Sequence, residues 1–282
     1  MHPMLEKLTE VAKAENLPTY TICVADKDSI ETSVINLGNP CQNSYSVAKL
    51  FCVTAVGMLV DEGKLSTEAT IAELFAEELD AYGIPREKWA NVTLSHVMLH
   101  KVGFEHGFLD IDKEDITQYE TDDFLKKTLS HPLVYAPGEV YVYSDAAYYL
   151  VSRVITKISG EKLDDFLMKR LFSLIDIREV AFSKCPYGYP VGATGLYIRS
   201  YDMVKLGRIY LDGGRYGDHQ IISQNWIDTV LKMGYELKPQ GRGYAKGGML
   251  GQKLYINFDE DIAIAWHSYD KQGATKAIGA LL

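Results

Sequence analysis

Apolar positions Leu5, Leu8, Val11 and Ala12 recur at helical spacing, predicting an amphipathic N-terminal helix. The period then changes. TYTICVAD (19–26) and TSVINL (32–37) read as two strands joined by a polar turn around Lys27 to Ser29. NSYSVAKLFCVTAVGMLVDEG (43–63) is apolar apart from its mouth. It predicts a helix over 46–61 that stops at Gly63, a residue suited to the turn beyond a helix end. Another helix is expected after Ser66, and the signal stays mostly helical to about 185. Within that stretch Thr121, Asp122 and Asp123 mark a helix start. YAPGEVYVYSD (135–145) reads as a turn and irregular approach to the helix AAYYLVSRVITKIS, which ends at Gly160; DDFLMKRLF is amphipathic. After 190, GATGLYIRSYDMVKLGRIYLDGG predicts a short strand or loop and a helix ending at Gly213 and Gly214. Ser223 caps SQNWIDTVLK. Two strands follow, about 244–257 and 261–268, split by the turn FDED, and QGATKAIGALL forms a short closing helix.

Strands at both ends with helices between predict an α/β chain of the α+β type. Residues 1–42 and 188–282 then form the α/β region, and 43–187 form a mainly helical region within one structural unit. The 282 residues, 47% hydrophobic and 24% charged, supply ample core for this. A formal net charge of −9 argues against wholesale binding to nucleic acid or anionic membrane. No apolar run reaches the roughly 18 residues that span a bilayer. The N-terminus lacks a basic segment followed by an apolar one, so the expectation is a cytoplasmic chain or one whose leader has been removed. Asp110 to Asp123 holds seven acids and one lysine, which reads as a solvated face. Cys23, Cys41, Cys52 and Cys185 lack metal-type spacing and read as reduced, mostly buried thiols. His96, His100 and His106 match no zinc spacing and read as a core histidine with loop histidines. With no phosphate loop or nucleotide fingerprint either, neither cofactor nor metal is expected.

Candidate chemistry begins at the mouth of the apolar helix. S-x-x-K occurs at Ser46/Lys49, Ser159/Lys162 and Ser268/Lys271. Ser159 sits at a helix end, and Ser268 leads a strand into a polar turn. Ser46 alone opens a long apolar helix, where free backbone N–H groups and the positive end of the dipole favour a developing oxyanion. A spacing of three puts Lys49 on the same face, where a neutral amine could take the hydroxyl proton. The plainer alternative is an N-cap serine and a lysine reaching for water. Two further groups bear on the choice. VYSDAAY places Tyr143 and Asp145 two residues apart before a helix, and YAKGGMLGQKLYI places Lys246, Gly248 and Gly251 at a glycine-rich strand start. Tyr255/Asn257 and Lys101/Gly103 are rivals of similar form.

In this order the three motifs and their surroundings resemble the serine β-lactamase and penicillin-binding protein superfamily, closest to its class C β-lactamase and carboxylesterase branch. SYSVAKLFCVTAVGMLVDEGKLS is similar to the nucleophile helix and LSHVMLHKVGF to the leucine–histidine segment. YAPGEVYVYSDAAYYLVSRVITKISGEKLDDFLMKRLF, GATGLYIRSYDMVKLGRIYLDGG and GQKLYINFDEDIAIAW follow the same pattern, so the likeness runs from about 18 to 268. It implies a β-lactamase/transpeptidase-like fold: an antiparallel sheet flanked by helices, joined to a mainly helical region, with a cleft between. It also implies Ser46 as acylated nucleophile, Lys49 as base or relay and Tyr143 as second proton-transfer group. Asp145 falls at the family's asparagine position and Lys246 supplies a cation at the far wall. The N–H groups of Ser46 and Met249 would form the oxyanion hole.

Three positions depart from the family pattern. Motif two reads Tyr-Ser-Asp, motif three reads Lys-Gly-Gly without a hydroxyl at Gly247, and the usual H-T-S-G reads His100-Lys101-Val102-Gly103. An aspartate can only accept hydrogen bonds where an asparagine also donates, which weakens the case for strong β-lactamase activity. The expectation is therefore an acyl hydrolase of small esters or amides. A β-lactamase or D-amino-acid peptidase is the alternative, and a silent binding or sensor protein is a third reading of another class. The expected partner is a small ester, amide or β-lactam; oligomeric state is not readable.

Overall fold

A computed structural model describes residues 1–282. Six strands form its main antiparallel sheet: β1 (Thr19–Ala25), β2 (Ile30–Val34), β3 (Lys238–Gln240), β4 (Gly243–Gly247), β5 (Lys253–Asn257) and β6 (Ile262–Ser268). Their spatial order is β2-β1-β6-β5-β4-β3, so the first and last parts of the chain meet at the β1–β6 pairing. Alternation along the strands divides the two faces. Ile22, Val24, Ile262, Ile264 and Trp266 point to one side, where Leu5, Leu8 and Ala12 of α1 (Pro3–Ala14) and Ile278 cover them. Cys23, Ala25, Ala263 and Ala265 point to the other, into the large core. Their small size lets a helix approach closely. In the helix Ser200–Leu211 a Cβ on Gly207 would lie 2.5 Å from that of Ala263.

The predicted strand over 244–257 is two strands, β4 and β5, separated by a turn at Gly248–Gly251 with Gly251 at φ +85°. Glycine supplies the left-handed conformation, and the resulting hairpin brings Met249 to the sheet's end. Strand β3 escapes the hydrophobic pattern because it is a short edge strand containing Pro239, whose lack of an N–H costs no central ladder bond.

The helical part is organised around α2 (Ala48–Asp61), buried continuously from Ala48 to Leu59. A helix apolar on every side must sit inside the domain. It packs against α3 (Asp145–Ser159), which ends at Gly160 with φ +76°. Between Leu99 and Asp123 the expected helical signal gives way to turns and one short 3₁₀ segment, because polar and acidic residues there offer no apolar stripe. No helix is long and apolar enough to cross a membrane.

Candidate active site

The predicted helix start at 46 is a single 3₁₀ turn, Tyr45–Val47, leading into α2. Asn43 sets it up: its Oδ1 accepts from the Tyr45 N–H at 2.8 Å and from the Gly195 N–H at 3.2 Å. Tyr45 adopts φ +48°, a conformation disfavoured for a bulky residue and one that tends to cluster at functional sites. The following residue, Ser46, is partly exposed at the helix mouth.

Ser46 Oγ accepts two hydrogen bonds, from Lys49 Nζ at 3.1 Å and from Tyr143 Oη at 2.7 Å. Lys49 is fully buried and also donates to Asp145 Oδ1 at 2.7 Å and to the Ala193 carbonyl at 2.8 Å. All three ammonium protons thus have acceptors. Burial alone would lower the Lys49 pKa. The Asp145 charge, reinforced by Tyr143 and Glu236, more than reverses that and holds it above the ordinary lysine range. At neutral pH the Ser46 hydroxyl therefore faces an ammonium.

Tyr143 is held by its neighbours rather than by its own burial. Its ring lies 4.4 Å from the His100 imidazole, with Lys49 Nζ 4.7 Å and Lys246 Nζ 5.5 Å from its centre. The next residue, Ser144, donates its N–H to His100 Nδ1 at 3.2 Å. That bond leaves the His100 proton on Nε2, which donates to Glu236 Oε1 at 2.6 Å. Burial, partly opposed by Glu236, lowers the His100 pKa and keeps the ring neutral. The other Glu236 oxygen accepts from Lys246 Nζ. Burial would raise the Glu236 pKa, but Lys246 and His100 outweigh it and hold the carboxyl well below the usual range.

Beyond Ser46 opens a cleft of about 370 Å³ lined by Tyr45, Asp110, Asp112, Lys113, Tyr143, Asp145, Lys246 and the Gly247–Met249 backbone. Gly248 is the point of closest approach: a Cβ there would lie 2.7 Å from the Ser44 carbonyl and 2.6 Å from Gln252 Oε1. The Met249 N–H donates to no protein group. The stretch read as a solvated acidic face contributes Asp110 and Asp112, whose carboxylates lie within 4.8 Å of each other and of Asp145. These three are close enough to share a cation, but Lys49 engages Asp145, Thr194 donates to Asp112 and Lys113 pairs with Asp110 at 3.0 Å.

The structure thus brings Ser46, Lys49, Tyr143, Asp145, Lys246, Gly248 and Met249 to one cleft. Ser159 instead bonds the Ile155 carbonyl at 2.7 Å, and Ser268 bonds the Leu250 carbonyl at 2.7 Å. Tyr255 is buried under the other face of the sheet, and Lys101 follows a helix end away from Ser46. Sequence reasoning missed His100 and Glu236. The signal for His100 lay in the leucine–histidine segment; Glu236 carried none, since its partner is 136 residues away.

This fold and this serine–lysine–tyrosine cleft define a recognisable class of protein. Residues 42–280 match the Beta-lactamase family, and the chain belongs to that family, one of serine hydrolases. Among relatives, it is 22% identical over 201 residues to the 6-aminohexanoate-dimer hydrolase of Paenarthrobacter ureafaciens, covering 67% of this chain and 50% of that one. The chain therefore spans about half the length of that curated relative. Its fold matches the penicillin-binding protein of Bacillus halodurans with a TM-score of 0.72 and 18% identity, over 97% of this chain and 98% of the other. It also matches EstCE1, a hydrolase with promiscuous acyltransferase activity, with a TM-score of 0.74 and 13% identity, over 99% and 96%.

Proposed function

We propose that this chain is a serine acyl hydrolase that works through an acyl-enzyme on Ser46 and acts on small esters or amides. The observation that carries the reading is the convergence of Lys49 Nζ and Tyr143 Oη on Ser46 Oγ at the floor of an open cleft. A serine that only capped its helix would not gather a buried lysine and a phenol 97 residues away.

The chemistry follows from that arrangement. Lys49, once it has lost a proton, takes the Ser46 proton as Oγ attacks the acyl carbon. The oxyanion that forms lies between the N–H groups of Ser46 and Met249. Tyr143 gives its proton to the departing oxygen or nitrogen and takes one in turn from Lys49, so the two groups pass the Ser46 proton along a single route. Water then attacks the Ser46 ester, releasing the acid and restoring both groups. A fluorophosphonate probe followed by intact mass and peptide mapping tests the reading: one adduct on Ser46 is expected, and an unlabelled Ser46 refutes it. Comparing p-nitrophenyl ester turnover with that of nitrocefin separates esterase from β-lactamase action.

Two predictions belong here. Because Asp145 holds the Lys49 pKa up, the neutral amine forms only as pH rises beyond the ordinary lysine range, so acylation climbs into the alkaline region. Asp145→Asn removes the main support for the ammonium and leaves burial, which favours the neutral amine. The kcat/KM profile against pH should move to lower pH, and the restored amide donor should raise nitrocefin turnover relative to ester turnover. If profile and ratio both stay in place, Asp145 acts only as a first-turn residue of α3.

Gly248→Ala should cut kcat by roughly tenfold or more, because its Cβ would push the Met249 segment away from the Ser44 carbonyl. Gly247→Ala is the control, since its Cβ would meet nothing nearer than 3.6 Å. Equal kinetic losses in the two variants would count against an oxyanion role for Met249.

A further inference from the structure

Lys246 differs from a free cation at the wall of a cleft. It is about nine-tenths buried and bound to Glu236, which is itself buried and committed through its second oxygen to His100. His100 Nδ1 is occupied by the Ser144 N–H, so Nε2 is a donor and Glu236 serves as an ionised acceptor on both sides. The Glu236 charge offsets the Lys246 ammonium, so a substrate carboxylate that reaches Lys246 meets a neutralised buried pair rather than a free cation. The other cations of the cleft are also paired with carboxylates. Lys49 is enclosed by Asp145, the Ala193 carbonyl and Ser46, and Lys113 is paired with Asp110. Around the cleft four carboxylates (Asp110, Asp112, Asp145 and Glu236) face three ammonium groups (Lys49, Lys113 and Lys246), leaving an excess of one negative charge.

We propose that Glu236 is a specificity-determining residue: by engaging Lys246 it sets the cleft against substrates that carry a carboxylate and in favour of uncharged acyl groups. The proposal rests on the reading of Ser46 as the nucleophile and adds the substrate class. Glu236 does not touch substrate. It acts through Lys246, and its effect is a discrimination between charges rather than a contribution to bond breaking.

The experiment compares p-nitrophenyl pentanoate with mono-p-nitrophenyl glutarate, two esters of similar acyl length that differ in one terminal carboxylate. The parent should hydrolyse the pentanoate with a kcat/KM at least about tenfold higher, with the gap carried by KM and narrowing in high salt. Glu236→Gln keeps an oxygen for His100 and releases Lys246. The glutarate-to-pentanoate ratio should rise by about tenfold. A purely structural role would lower both esters together and leave the ratio unchanged, which overturns the proposal. The parent's own ratio is read independently of how well the variant folds, and a parent that takes both esters equally overturns the proposal by itself. Turnover of neither ester with Ser46 unlabelled by the fluorophosphonate overturns the underlying reading instead, and this proposal with it.

Discussion

Ser46→Ala should abolish ester turnover while the protein remains folded. Ser46 is partly exposed and its hydroxyl accepts from Lys49 and Tyr143 without filling the core, so its removal leaves the packing of α2 intact. The loss should be large, on the order of 10⁴–10⁶ in kcat, as for other nucleophiles whose partners act only through them. What remains would come from binding and the oxyanion donors alone. The measurement is steady-state hydrolysis of p-nitrophenyl pentanoate by parent and variant of matched circular dichroism and melting temperature. Activity within about tenfold of the parent would remove Ser46 from the mechanism and reopen the cleft to another nucleophile. Ser159 and Ser268 would be poor substitutes, because each spends its hydroxyl on a backbone carbonyl and neither has a lysine bonded to it.

How far the sequence announced this site depends on the range over which each relation acts. Ser46 and Lys49 were legible because a spacing of three on a helix is local geometry, and α2 is apolar enough to leave its period in no doubt. The sheet was legible at β1 and β6, where alternating large and small residues separate the two faces. Tyr143 and Asp145 needed their family resemblance. Spacing alone could not say that the loop before α3 folds back across 97 residues to meet Ser46. The Gly248–Gly251 turn reads as a glycine-rich strand start, because a glycine in a strand pattern is equally compatible with a bulge or a close backbone approach. Asp110 and Asp112 looked like ordinary solvated acids, and only the path of the chain between Leu99 and Asp123 turns them toward the cleft. Glu236 was beyond reach. It adopts φ +58° just past a helix end, and its meaning comes wholly from His100 and Lys246, which tertiary packing delivers.

Lys49→Ala and Tyr143→Phe should each slow acylation by about 10²–10⁴, the range for general acid–base groups, but for different reasons and with different side effects. Tyr143→Phe is the cleaner change. The phenyl ring keeps its place against His100, and only the hydroxyl bonded to Ser46 disappears. Its stability should match the parent's. Lys49→Ala removes one half of a buried ion pair and leaves the Asp145 carboxylate without its cation, which typically costs about 3–5 kcal/mol. Lys49→Ala/Asp145→Asn, which removes the stranded charge as well, should recover much of that stability. Kinetically the two losses should not multiply. Lys49 and Tyr143 touch the same oxygen and serve one proton-transfer sequence, so removing the second group after the first should cost little more. The test is a double-mutant cycle on single-turnover acylation, with stopped-flow release of p-nitrophenol as the signal. A double variant slowed by the simple product of the single losses would place the two groups in separate steps. Tyr143 would then act on the leaving group independently of Lys49, and the shared hydrogen bonds to Ser46 would be a resting arrangement only.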